Sequence, residues 1–590
     1  MAGLIELAVA RDFRVPGAPH GYVVVQTDAY YAWWHHHEPD TLAVHAASAT
    51  DTEWLSLRVG GSVEFAGGET CGVGQRCRLG NIEDLNRVFG AGREWAGHSS
   101  RVERVELVFV AESANEGGAV EHRVILLPDR IEYSVRCPLT DATRVRRCTL
   151  GQAGDGGRTM VRGSRVFNAG PMVPGVYHFP VSRPQCIRPD WFTPPPYCYA
   201  YGLVDGSWMS VAIEAAVGAM PFNRFLTEPD AAGGQAYAIA YDSEPEFRDA
   251  FVSPPLVFRF GASDEYAALR QHAAGMVADG KVPAFTRSVA DWWRGVMCCG
   301  WQWQVSDGAA YGPDWGAACC QRLYEDMLAE FDRHGISWDI LTIDMFWGKR
   351  HGVWREDPAR WPDLRGFIDR QHARGRRVLL WICTNTHGLP DEELYIVGER
   401  RLYDPLNPLW LARLRDACHH MFGDGQGCLN ADGLKFDFTE AIPPAGVPVR
   451  CTRELHGLDY LHALFSAVHD AAKAVRPDVL LDFQVAHPAF AGLYDMTRLN
   501  DFFLPSRQDV RVMRTRARIA EAVGNGARVD VDGPASAAYF RESPSFGNMS
   551  LYLCRRHLED PALLAAIHDG IGLAKEGKNP SGRESGVRPG

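Results

Sequence analysis

Two periods of apolar residues divide the chain. Up to about residue 260 the period is two: runs at 21–26, 53–59, 104–110, 120–127, 130–136, 208–213 and 256–260 alternate apolar with polar side chains, and clusters of Gly, Pro, Asn and Asp separate them. Half-buried antiparallel strands have this pattern, which predicts a β-sandwich. The stretch 192–197, with three consecutive prolines, reads as a loop because proline cannot donate to a central strand ladder. A helical period then occupies 264–277, with Ser263 placed to cap it.

From residue 294 onward, runs of strand length alternate with amphipathic helical stretches, as in parallel βα units. Strands are predicted at 296–303, 339–346, 377–384, 434–439, 479–485, 498–503, 527–531 and 550–554, and helices at 318–334, 363–374, 408–422, 460–476, 510–523 and 561–575. Eight strands with crossover helices predict a (β/α)8 TIM barrel. The expected organisation is a β-sandwich domain over 1–262, a helical linker over 263–285, a catalytic barrel over 286–576 and a disordered Gly/Ser/Arg/Pro-rich tail over 577–590.

Composition narrows the function classes. A formal net charge of −12 leaves no basic surplus to neutralise phosphates, so a nucleic-acid partner is not expected. No apolar run reaches membrane-spanning length, and the first ten residues lack the basic and long apolar regions of a signal peptide. Fifteen cysteines make an odd total and show no zinc-type CxxC spacing, which argues against a complete disulfide framework and for a cytoplasmic protein. Aromatic residues reach 11%, with 17 Trp, and tryptophan supplies flat apolar faces that can stack on sugar rings.

Candidate chemistry gathers at the predicted strand ends, where barrel active sites lie. Leu434-Lys435-Phe436-Asp437 places Lys435 and Asp437 on one face of a strand. Lys435 would hold Asp437 ionised, as a nucleophile must be. Arg498-Leu499-Asn500-Asp501 ends a later strand, and Asp501 reads as the general acid, its pKa raised by the Asp437 anion. Two carboxylates facing across a sugar ring are what glycoside cleavage requires. Asp344 can accept from adjacent sugar hydroxyls, Trp347 can cover the apolar face of the ring, and Trp381 sits at the rim of the next strand. Asp482, with His487 just beyond it, would complete the pocket floor. His35-His36-His37 alternates faces on a strand and reads as a loop lip or surface, so neither a metal nor a cofactor is expected. Neither a Walker loop nor a GxSxG elbow is present.

These pieces resemble the clan uniting glycoside hydrolase families 27, 31 and 36. The matching stretch runs from 292 to 576 through Ile343-Asp344 with Trp347, Trp361-Pro362-Asp363-Leu364, Leu380-Trp381, Lys435-Phe436-Asp437 and Arg498-Leu499-Asn500-Asp501. The chain is more like family 36, the α-galactosidase and raffinose-synthase type. The resemblance implies Asp437 as nucleophile, Asp501 as acid/base, and Asp344, Lys435 and Arg498 as sugar-binding groups. It also implies a retaining exo-α-glycosidase working on a small carbohydrate through a covalent glycosyl–enzyme intermediate. Two departures stand out. Met345 replaces the second of the paired aspartates usual in family 36, and Asp437-Phe438-Thr439-Glu440 with Pro443 looks more like family 31. Both families also usually carry a β domain after the barrel, for which the residues beyond Glu576 are too few. The alternatives are a family 31-like α-glucosidase or sulfoquinovosidase, a raffinose-synthase-like transglycosylase, and a non-catalytic carbohydrate-binding relative. A homo-oligomer is compatible with the sequence.

Overall fold

The computed structural model describes residues 5–576 except 10–21, 36–39, 73–76, 80–98, 112–118, 154–155, 171–176, 182–184, 187–193, 385, 387, 440–441, 444–448, 500–508 and 534. Among the described residues, two antiparallel sheets, of fourteen and ten strands, fill the N-terminal half. The period-two runs form the strands expected of them. Val120–Leu127 and Arg130–Pro138 pair antiparallel, and Val124, Leu126, Ile131, Tyr133 and Val135 are buried while their neighbours are partly exposed. Strands Cys198–Leu203 and Trp208–Ile213 are instead buried along their whole length, because helix α1 (Glu265–Ala278) lies across them. The α1 cap is Asp264, one residue later than expected. Its carboxylate accepts from Ala267 N at 2.7 Å, satisfying a free N–H and placing negative charge at the helix start.

Beneath α1 lies a buried charge cluster. Arg259 donates to Glu214 through Nε and Nη2 at 3.1 and 3.0 Å, to Asp279 at 2.7 Å and to Asp129 at 3.0 Å. Lys281 reaches Glu214 at 3.2 Å. The His272 ring nitrogens lie 3.1 Å from Glu214 Oε1 and 3.1 Å from the Pro196 carbonyl. Burial alone would raise the Glu214 carboxyl; His272 and then Arg259 pull it well below the usual carboxylate range.

The C-terminal half is a closed parallel barrel of eight strands: β1 (Met297–Cys299), β2 (Ile340–Ile343), β3 (Arg377–Cys383), β4 (Gly433–Asp437), β5 (Leu480–Phe483), β6 (Met496–Arg498), β7 (Arg528–Val531) and β8 (Asn548–Leu551). Around it run α2 (Gln321–Arg333), α3 (Leu364–His372), α4 (Pro408–Phe422), α5 (Gly457–Val475), α6 (Asp509–Val523) and α7 (Pro561–Lys575). Two strands differ from expectation. The run predicted at 296–303 stops at Cys299, and after Gly300 the chain turns into the short helix Trp301–Asp307. β6 ends at Arg498, where the strand was expected to begin.

Side chains alternate across each barrel strand. Phe436 points outward, its ring 5.3 Å from Phe465 of α5, which turns Lys435 and Asp437 inward. Burying a phenylalanine this way stabilises by roughly 1.5–3 kcal/mol. Met297, Ile340, Leu379, Leu480 and Met496 form an apolar cluster with Trp293 at the N-terminal end of the barrel. Polar side chains begin one layer higher, toward the strand C-termini. The two halves meet where α1 packs on α6: the Arg518 guanidinium lies 3.7 Å from the Tyr266 ring centroid, and buried Arg516 donates to Tyr177 at 3.3 Å. Among the described residues no helix is long and apolar enough to cross a membrane.

Candidate active site at the barrel mouth

Among the described residues, five carboxylates and two cations face one another inside the upper barrel. Asp344 follows β2 and is only 4% exposed at its side chain; its Oδ2 accepts from Lys435 Nζ at 2.7 Å and from Cys299 Sγ at 3.0 Å, and its Oδ1 accepts from Met345 N at 2.8 Å. Tyr552, just after β8, completes the Lys435 site at 3.1 Å. Burial alone would lower the Lys435 pKa, but the Asp344 charge more than offsets this and holds the amine protonated.

The direct partner of Lys435 is therefore Asp344 rather than Asp437. Residues two apart on a strand share a face but stand about 7 Å apart along it, too far for a hydrogen bond. Asp437 finds its cation on β6, where Arg498 Nη1 donates to Oδ1 at 2.7 Å. Trp381 Nε1 donates to the other oxygen at 3.1 Å, and Phe438 N donates to Oδ1 at 3.0 Å. Burial alone would raise the Asp437 carboxyl, yet Arg498 first and Lys435 second pull it below the usual range. Its side chain is 13% exposed, against 0% for Arg498.

Arg498 is in turn held by a residue that the sequence reading missed. Asp532, just past β7, accepts from Arg498 Nε at 3.1 Å and from Nη2 at 2.6 Å. Asp530 and Asp532 lie two apart, as Lys435 and Asp437 do, and both are buried beside Arg498. The run Arg528-Val529-Asp530-Val531 alternates like a half-exposed strand. In a barrel wrapped by helices its polar face turns inward, and that was the available signal. Cys299 and Tyr552 carried no such signal.

The aromatic expectations are placed as follows. Trp347 is buried, and its Nε1 donates to the Trp381 carbonyl at 2.7 Å. Both indoles line a cleft of about 300 Å³, part of it open to solvent, together with Phe346, Arg350, His351, Trp354 and Cys383. Asp437 does not line this cleft but lies beside it, bonded to the indole N–H of Trp381. Three aromatic residues here take left-handed backbone angles, Phe346 at φ 77°, Trp354 at φ 49° and Phe438 at φ 52°. Such angles are costly for bulky residues and concentrate at functional sites. Phe438 is held there by Thr384, which donates to its carbonyl, and by edge-on contact with Trp381 at 5.9 Å.

Asp482 lies fully buried on β5, between Lys435 of β4 and Met496 of β6 in the ladder. His487 is buried against the rings of Tyr197 and Phe490, on the side of the barrel facing the sandwich. Asp501, and His36 with His37, lie outside the described residues. Among the described residues no group of three His, Cys, Asp or Glu side chains could hold a metal ion.

No family model matches the sequence, and no curated protein matches it. Solved structures share the fold. It is similar to a GH31 family sulfoquinovosidase from E. rectale in complex with an aza-sugar inhibitor, with TM-score 0.54, 10% identity and coverage of 94% of this chain and 82% of that one. It is also similar to the GH36 alpha-galactosidase AgaA from Geobacillus stearothermophilus in complex with 1-deoxygalactonojirimycin, with TM-score 0.52, 12% identity and coverage of 97% and 86%. A third similar structure is the galactosidase domain of the alpha-galactosidase-sucrose kinase AgaSK, with TM-score 0.51, 13% identity and coverage of 94% and 85%. The barrel and antiparallel sheets expected from the sequence are thus the architecture of family 36 and family 31 structures.

Proposed function

We propose that this chain is a glycoside hydrolase that cleaves α-linked sugars with retention of configuration. The observation that carries the reading is Asp437. It is a carboxylate at a barrel strand end, ionised by Arg498 and Lys435, held at both oxygens, and more exposed than the carboxylates packed around it. In the first step an Asp437 oxygen attacks the anomeric carbon, the bond to the leaving oxygen breaks, and Asp501 gives that oxygen its proton. In the second step Asp501 takes a proton from water, whose oxygen displaces Asp437 and frees the sugar. Lys435 and Asp344 form a buried ion pair that presents polar edges to the sugar, and Trp347 and Trp381 offer it flat apolar faces.

The sugar follows less directly. Similarity extends to an alpha-galactosidase and to a sulfoquinovosidase alike. Met345, in place of a second carboxylate, favours a pocket with looser selection at the far end of the ring than a family 36 α-galactosidase has. A panel of aryl α-glycosides spanning galacto-, gluco-, xylo- and sulfonated sugars tests the reading, with NMR of the first-formed anomer. Release of an α-anomer supports it. Absence of turnover on every member, or a β-anomer formed first, overturns it.

A further inference from the structure

Among the described residues, the upper barrel carries more carboxylates than its cations can neutralise. Lys435 is taken by Asp344 at 2.7 Å, and the single charge of Arg498 is divided between Asp532 at 2.6 Å and Asp437 at 2.7 Å. Asp482 and Asp530 remain, both buried. Both Asp482 oxygens and Asp530 Oδ1 lack any hydrogen-bond partner among the described residues. The charged groups that face Asp482 are Lys435 from β4, Arg498 from β6, and Asp530 and Asp532 from β7. An ionised Asp482 in that setting would be an unsolvated anion beside two others, and it would compete for the guanidinium that orients Asp437.

We propose that Asp482 is a positioning residue held as a neutral carboxylic acid in the upper barrel, which leaves Arg498 to bridge Asp532 and Asp437. Burial and the neighbouring Asp530 push its acid dissociation well above the usual carboxylate range, and burial with Asp532 pushes Asp530 up to about 7. The role given to Asp437 rests on the glycosidase reading; the protonation of Asp482 does not. Asp482 then serves the site by withholding charge, rather than as a sugar ligand.

The test uses the full-length chain without substrate. An acid whose folded-state pKa exceeds its unfolded value destabilises the fold progressively as pH rises between the two. Asp482→Asn, an uncharged isostere, should therefore gain in melting temperature over wild type steadily from pH 5 to pH 8. A difference that stays constant across that range, or that turns against the variant as pH rises, overturns the proposal. The second reading is infrared absorption at pH 7. Wild type should show a protonated-carboxyl carbonyl band that shifts in deuterated water and weakens in Asp482→Asn. Absence of the band in wild type overturns the proposal even if the variant does not fold, and so does a band undiminished in a folded variant. Because no substrate enters either measurement, a chain that turns over no glycoside can still pass, and an active glycosidase can still fail.

Discussion

Two buried charge clusters, built from the same side-chain types, sit in the two halves of this molecule and behave in opposite ways. Beneath α1, Glu214 has Arg259, His272 and Lys281 around it, and its carboxyl is pulled well down. In the barrel, Asp482 and Asp530 have no cation of their own among the described residues, and their carboxyls are pushed up. The first cluster fastens a helix to a sheet, and its donors and acceptors match. The second keeps an unmatched surplus of acceptors around one carboxylate, Asp437, that stays ionised and partly open. The contrast separates charge matched in place from charge left unmatched around a partly open carboxylate.

The sharpest way to break this contrast is Asp437→Asn. It keeps the shape and removes the attacking oxygen's charge, so kcat should fall by more than ~10⁴-fold while the melting temperature changes little. A variant that keeps more than a few per cent of wild-type turnover would show that the open carboxylate of the barrel cluster is not the nucleophile. Next, Asp501→Ala should cost ~10²–10⁴ on a sugar leaving group and much less on an activated aryl leaving group. Steady-state rates on the two substrates decide it, and equal losses would count against Asp501 as the acid.

The same chemical change, carboxylate to amide, should have opposite signs in the two clusters. Glu214→Gln leaves Arg259 and Lys281 undercompensated and should cost about 3–5 kcal/mol of stability at pH 7. Because the Glu214 pKa is depressed, that stabilisation is present above the unfolded value near 4.3 and is lost as pH falls toward the folded value. Asp530 has a raised pKa, about 7 against an unfolded value near 3.9, so Asp530→Asn should gain on wild type by up to about 1.4 kcal/mol per pH unit between them. Urea unfolding of Asp530→Asn at pH 5 and pH 7, and of Glu214→Gln at about pH 2.5 and pH 5, measures each slope inside its own window, and slopes of the same sign would erase the contrast. The smallest effect is expected of Trp381→Phe. It removes one hydrogen bond to the Asp437 carboxylate and should lower kcat by roughly ten- to a hundredfold, in line with ~1.5–3 kcal/mol for a bond to a charged group.

The order of strands and helices was readable because the barrel helices carry their own punctuation. α4 and α7 begin and end at the predicted residues: Asn407 and Asp560 cap them, with proline at the first turn. β6 was misplaced because the apolar run Leu499, Phe502 and Phe503 continues past the strand's last residue, Arg498. Within the site, Lys435, Asp437, Asp344 and Arg498 could be named from the sequence because each stands at a strand end. Their pairing could not, since it depends on strand-to-strand height: Lys435 meets Asp344 across the barrel, and Arg498 meets Asp437. Asp532 was missed because the alternation from Arg528 to Asp532 points inward only once the strand is placed in a barrel wrapped by helices; by itself the run also fits a half-exposed strand.

The contact between α1 and α6 also bears on how the molecule is made. Tyr266 packs under Arg518, and Tyr177 accepts from Arg516, partners some 250 to 340 residues further along the chain. At ribosomal rates of ~5–20 residues per second the gap between Tyr266 and Arg518 lasts on the order of ten to fifty seconds. Throughout that interval Tyr266 and Tyr177 lack the arginine partners that α6 supplies. Translation thus sets a waiting time in which α1 needs cover, and a slow stretch of codons between residues 278 and 509 would lengthen it without altering a single side chain.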